Sequence, residues 1–289
     1  MTAVSTQDTI GSRDDAREAE RGHEQAPAPR ADCIADSAGG LTFDVTDPGE
    51  TDTAHLLLRL RDSDPVAEVR LPLTPAGDGR LRAALPSSVE LAEGRWNAYA
   101  LVDGGEPRRL MPGVNDLRSL VDRAPSGSRG HVSVRIPYAT KQGNLSVRAW
   151  VRAPHAEAGE LRITDAGCTA HGRVYGTELS PHARVEAVFR KEPERVVCAD
   201  VTARGPEFEV TLRYDDLAAG RGPWDLWLLP RGDGGPRVRL ARLLDDVADK
   251  KPIFTYPVTA LEGPDGPIEA GPYYTNDNDL AVRVRAVAV

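Results

Sequence analysis

From Leu41 onward, apolar and polar positions alternate with a period of two in short runs separated by turn-forming residues. LTFDV, AHLLLRLR, AEVRLPL, GRLRAAL, RWNAYALV, HVSVRIPY and NLSVRAWV each read as a strand with one face inward, as do ELRIT, RVEAVFR, EFEVTLRY, PWDLWLLP, PRVRLARLL and DLAVRVRAV further on. PG, GDG, EGR, GGE and GDGG supply the turns. Helical patterning is confined to NDLRSLVDR and DDLAAG, each long enough for a turn or two. The pattern predicts an all-β, antiparallel chain. Residues 1–38 break it: GSRDDAREAERGHEQAPAPRADC holds almost no large apolar residue and cannot offset the entropy of ordering, so a disordered tail is expected there.

The pattern also occurs twice. LRAALPSSVELAEGRWNAYALVDGGEPRRLMPGVNDLRSLVDR corresponds to FEVTLRYDDLAAGRGPWDLWLLPRGDGGPRVRLARLLDDVADK, which sets Trp96 on Trp224, Tyr99 on Trp227, Pro107 on Pro236 and Leu110 on Leu240. Each copy closes on one phrase, PYATKQGNLSVRAW and then PYYTNDNDLAVRV, setting Tyr138 on Tyr273, Thr140 on Thr275, Leu145 on Leu280, Val147 on Val282 and Arg148 on Arg283. The offset grows from 128 residues at the tryptophans to 135 at the closing phrase, which places the insertions in loops. A repeat of this length is a duplicated domain rather than a solenoid unit. Two tandem immunoglobulin-like antiparallel β-sandwiches are predicted after the tail: residues 39–130, then 131–289, with the strand near 132–151 shared at the junction. Neither copy has the paired cysteines of antibody domains.

GRWNAYALV with GVNDLRSLVDR, and PWDLWLLP with DKKPIFTYP and PYYTNDNDLAVRV, resemble actinobacterial proteins with tandem immunoglobulin-like repeats, many of them labelled transferases. The resemblance covers residues 40–289 and rests on scaffold motifs. It implies an association with the glycosyl- or glycerophosphotransferases of teichoic-acid-type wall polymers and implies no catalytic residue. The chain lacks the Rossmann-like halves through which such a transferase would bind a nucleotide donor.

Composition narrows the partners. At 289 residues, with 40% hydrophobic residues, there is room for two cores. A formal charge of −8 repels a polyanion, so no nucleic-acid partner is expected. Of the 36 cationic residues only four are Lys, a background bias. No run of about 18 apolar residues exists and the first residues are polar, so no membrane span or secretory segment is expected and the cytoplasm is the expected location. Cys33, Cys168 and Cys198 are odd in number and lack CxxC spacing, which fits reduced thiols, with Cys168 and Cys198 expected buried in strands.

Chemistry is sparse. GxGxxG, GxxxxGK[ST], HExxH and GxSxG are all absent, and the six histidines are scattered without ligand spacing. No catalytic residue and no cofactor are assigned. The NDND run offers Asp277 and Asp279 as candidate ligands for Ca²⁺, although Asx turns before a strand explain the same residues. Asp245, Asp246 and Asp249 beside Lys250 and Lys251 read as a solvated turn. Trp96 and Trp224 recur and read as core. Trp150 is different, because alternation sets it with Arg148 and Arg152 on the face opposite Leu145 and Val147. That face is either the contact between the two units or an Arg-flanked aromatic platform for a sugar phosphate or acidic partner. Tyr138 and Tyr273 of the repeated phrase are further binding candidates, their hydroxyls also able to reach back to backbone.

The expected function is that of a non-catalytic binding or accessory module linked to glycan or cell-wall polymer assembly, with a glycan, sugar phosphate or protein as partner. A transferase, glycosyl or polyol-phosphate, using a cleft between the units is the alternative. A scaffold for protein association through exposed sheet edges is a further one.

Overall fold

The computed structural model describes residues 28–46, 53–121, 123–125 and 131–287. These form two ten-stranded sheets. The first contains β1 (Arg30–Ala35), β2 (Leu41–Thr46), β3 (Ala54–Leu60), β4 (Glu68–Gly77), β5 (Arg80–Leu85), β6 (Gly94–Val102), β7 (Arg108–Arg109), β8 (Met111–Asp116), β9 (Val132–Ala139) and β10 (Leu145–Arg152). The second contains β11 (His155–Thr164), β12 (Gly167–Tyr175), β13 (Arg184–Phe189), β14 (Val196–Arg204), β15 (Glu207–Arg213), β16 (Gly222–Leu229), β17 (Val238–Ala241), β18 (Thr259–Gly263), β19 (Gly266–Tyr274) and β20 (Leu280–Ala286). Among the described residues, helix is limited to single turns at Arg118–Leu120, Tyr214–Leu217 and Gly232–Gly234. The all-β expectation holds.

The separate layers of a sandwich do not. In the first unit β4 pairs with β3 through residues 68–73 and with β5 through 74–77, so one ribbon runs from face to face. In the second, β14 bridges β13 and β15 in the same way, and pairing of β13 with β16 closes the sheet into a barrel. Its ring is completed by β17, antiparallel to β16 and parallel to β11. The first ring falls short of closure because the equivalent strand is broken at Leu110 into β7, which pairs with β6, and β8, which pairs with β1.

Residues 30–35, expected in the tail, are the strand β1. Its inward residues Ala31, Cys33 and Ala35 are small, so the alternation is present but weak in hydrophobicity. The rest of the expected tail, 1–27, lies outside the described residues. Strands β9 and β10 hydrogen-bond into the first sheet through β6, so the first sheet's strands run to Arg152 and the second's begin at His155. Cys168 is buried and its thiol is pushed up to about 11 by that burial. Cys198, expected buried, is exposed on β14, whose residues face solvent along most of its length.

The two units repeat the same local chemistry. Trp96 and Trp224 lie opposite Val147 and Val282, and each indole N–H donates to the carbonyl four residues earlier, Ala92 at 2.9 Å and Gly220 at 3.0 Å. Arg109 stacks 4.8 Å over Tyr99, as Arg239 does 4.9 Å over Trp227. The closing phrase is a hairpin. Thr140 N–H donates to Asn144 O and Thr275 N–H to Asp279 O, while the threonine hydroxyls accept the N–H groups of Asn144 and Asp279. One residue in each turn is left-handed: Gly143 at φ 76° and Asn278 at φ 61°. Glycine and asparagine are the residues that tolerate this conformation.

Residues 241–258 act as a strap across both cores. Ala241 and Leu243 are buried in the first unit's core with Leu244 and Ala248 packed against it, whereas Phe254 and Tyr256 pack against the second. Glu157 accepts the N–H groups of Leu243 (2.9 Å) and Leu244 (3.0 Å). Asn278 is fully buried and pins the strap through Lys250 N–H and Ala248 O. Lys250, also fully buried, donates from Nζ to Asp245 at 2.6 Å and Val247 O at 2.7 Å. Of the expected solvated turn, Asp246, Asp249 and Lys251 are exposed, whereas Lys250 and Asp245 form a buried ion pair. Removing one partner of such a pair typically costs about 3–5 kcal/mol. Lys250→Ala is expected at the low end of that range, since Arg242 remains on Asp245 at 2.9 Å; urea unfolding of the variant beside wild type measures it.

Candidate functional site

The residues that the sequence separates into an aromatic platform and a metal pair meet in one network. Strand β10 turns Leu145, Val147 and Ala149 into the first core and Ser146, Arg148 and Trp150 outward, yet every one of these is buried. Arg148 donates to Asp277 Oδ1 at 2.6 Å and lies 5.0 Å over the Trp150 ring. Trp150 is 0% exposed and belongs to the same core cluster as Val132, Val134, Ala241 and Leu243. Arg152 pairs with Glu93 at 2.8 Å and reaches Asp279 at 3.9 Å; Arg95 donates to Asn276 O at 3.3 Å. The NDND turn of the second unit is therefore seated on the outer face of the first. Trp150 offers no open platform.

Asp277 and Asp279 are bound by arginines, since Asp279 also pairs with Arg239 at 3.3 Å. Among the described residues, no group of three or more His, Cys, Asp or Glu side chains is placed to hold a metal ion. Burial lifts the Asp279 carboxyl above the usual 3.8, against the pull of Arg239 and Arg152. Burial opposes the charge on Asp225 as well, but Arg190 and Arg239 outweigh it and its pKa lies below 3.8.

A groove of about 690 Å³ runs between the units, lined by Arg123, Glu157, Arg173, Tyr175 and Arg242. Its carboxylate is engaged: Glu157 caps the strap and contacts His155 Nε2 at 2.7 Å. Arg173 pairs with Glu207 and Arg242 with Asp245.

The second unit carries a smaller pocket of about 310 Å³ between the strap and the outer face of β19 and β20. The strap contributes Lys251, Phe254 and Tyr256, and the sheet contributes Tyr273, Arg283 and Arg285. Gly271 permits the contact, because a Cβ there would come within 2.9 Å of Pro257 O and Val258 Cγ1. Phe254 and Tyr256 are held from behind by Tyr274, with ring centroids at 5.8 and 6.2 Å. Arg283 lies 4.2 Å over the Tyr273 ring, and Arg285 is neutralised by Glu269. Ile253 and Val258 stay exposed beside the opening. Of the residues that the sequence singles out as candidates, only Tyr273 lines this pocket; its counterpart Tyr138 pairs across from Ser146 in the first sheet. The missed residues sit in KKPIFTYP, an aromatic pair between prolines that carries no strand or helix period.

No family model matches the chain, and no curated protein does. Among solved structures, S. aureus TarS 217–571 is similar at 11% identity and TM-score 0.31, over 73% of this chain and 61% of that one. The plexin A4 extracellular region is similar at 9% identity and TM-score 0.22, over 76% and 28%. A tetra-tandem repeat from the extending region of a large adhesion protein matches at 10% identity and TM-score 0.20, over 91% and 74%. The chain thus spans less than two thirds of the TarS fragment's length. Likeness at this level carries no information on function.

Two outcomes follow from the junction. Trp150→Ala is expected to cost about 3–5 kcal/mol in chemical denaturation, the loss typical of a buried Trp truncated in a packed core. Acid titration is expected to separate the two partly buried aspartates. The folded state holds the Asp279 proton more tightly than the unfolded chain, so this group adds stability as pH falls from its raised value toward 3.8. Asp225 does the opposite below 3.8, losing its contribution as pH falls through its depressed value. Stability should therefore fall more steeply with acid in Asp279→Asn and less steeply in Asp225→Asn, read from denaturant midpoints across pH.

Proposed function

We propose that the chain is a non-catalytic binding module that holds a saccharide against the aromatic wall of the pocket formed by Phe254, Tyr256 and Tyr273. The observation that carries this reading is three aromatic side chains lining one open pocket, two of them braced by a buried fourth, Tyr274. Sugar faces stack on flat rings, and a pre-formed wall spares the cost of ordering it. The resemblance to tandem-repeat proteins of wall-polymer assembly supports an accessory role in glycan assembly. The inter-unit groove gives the transferase reading no free acid–base group, since Glu157 is committed to the strap.

We read the units as two copies of one immunoglobulin-like domain, residues 30–152 and 155–287. Supporting this, in each unit the first, second and fifth strands lie side by side, the third and sixth pair, and the final strand joins the sixth. The strand that crosses between faces adds the closure that a sandwich lacks. Three unpaired cysteines support a reducing, cytoplasmic setting. Among the described residues no helix is long and apolar enough to cross a membrane.

Calorimetric titration with a panel of neutral and charged pyranosides tests the reading, with Tyr273→Ala beside wild type. Binding is expected in wild type and at least tenfold weaker in the variant, about 1.4 kcal/mol, with the variant's folded state confirmed by circular dichroism at the titration temperature. No binding of any pyranoside at millimolar concentration would overturn it.

A further inference from the structure

The last strands of the two units present corresponding outer faces, and the first shows what this face accepts. Arg148 on β10 and Arg283 on β20 stand one place beyond Val147 and Val282, which lie opposite Trp96 and Trp224. Arg148 receives the carboxylate of Asp277 at 2.6 Å. Arg283 has no such partner: among the described residues no carboxylate pairs with it, and it is exposed at the pocket mouth.

Its surroundings leave positive charge uncompensated. Glu269 is the pocket's carboxylate and is already paired with Arg285. Lys251 donates to the neutral Asn276 Oδ1 at 3.1 Å, and among the described residues no carboxylate pairs with it. Two cations therefore face the opening of an aromatic pocket, in a chain whose net charge is −8. Stacking on Tyr273 fixes the guanidinium plane and leaves its N–H edge available to fork onto two oxygens.

We infer that the pocket selects sugars bearing an anionic group, phosphate or carboxylate. The anion sits on Arg283 and Lys251 and the sugar ring lies against the aromatic wall. This rests on the saccharide reading above and adds the charge requirement to it. Tyr273 acts as a positioning residue for Arg283, and no bond is made or broken.

The test titrates wild type, Arg283→Gln, Arg283→Lys and Tyr273→Ala with glucose 1-phosphate, glucuronate, methyl glucoside and inorganic phosphate. Wild type is expected to bind a charged sugar at least tenfold tighter than methyl glucoside, with affinity falling as salt rises. Arg283→Gln should bring the charged sugars down to the wild-type affinity for methyl glucoside, and Arg283→Lys should recover only part of the preference, having charge without the fork. Whether glucose 1-phosphate or glucuronate is favoured identifies the anion. Equal wild-type affinity for neutral and charged sugars overturns the charge requirement and leaves the saccharide reading intact. Inorganic phosphate binding as tightly as glucose 1-phosphate, with Tyr273→Ala harmless, overturns both, as does absence of binding by every probe. Arg283 is solvent-exposed, so the glutamine variant is expected to unfold at the wild-type midpoint, and thermal unfolding checks this.

Discussion

Burying both faces of β10 is the constraint on which the arrangement of the molecule depends. A strand at the outside of a single barrel keeps one face wet and alternates accordingly. Here Ser146, Arg148 and Trp150 are as buried as Leu145, Val147 and Ala149. Covering an arginine is costly unless a partner is supplied, and the second unit supplies it in Asp277. The ion pair and the indole beneath it thus fix where the NDND turn must sit. That position determines what the second unit's other faces can meet.

The strap continues the same logic. It leaves β17 with its first residues in the first core, turns on the buried Lys250–Asp245 pair, and reaches β18 with its aromatics in the second core. The aromatic wall is therefore built on a segment whose other end is held at the junction. Each unit contributes to the rigidity of a pocket that only one of them contains.

Much of the fold was legible in the sequence, because strands with large inward residues announce themselves. Alternation located β2 to β6, β9 to β11, β13, β15 to β17 and β20. It missed β1, whose inward residues are Ala and Cys. It missed β12, where Gly167 and Gly172 give way to Leu212 O and the Phe208 ring pressed against them. It missed β14, with its exposed pattern, and β19, whose prolines mimic a loop. The tryptophan register was readable because each unit places a Trp whose indole N–H reaches the carbonyl four residues earlier. Barrel closure was not, since it depends on pairing between β13 and β16, which no local pattern records. At the site, Arg148, Trp150, Asp277 and Asp279 were all singled out, but as two unrelated features. Complementarity across about 130 positions leaves no mark on either segment alone. The strap's aromatics were overlooked because their environment is made by a strand that follows them.

The position equivalent to Trp150 is Arg285, exposed and paired with Glu269. Of these two outer faces, one is covered by the other unit and carries a buried Trp, while the other carries an exposed, paired charge. In a longer array of such domains, the residue at this single position would record which modules have a neighbour seated on them. The order of assembly would then be inscribed in the chemistry of the final strands rather than in the linkers between them.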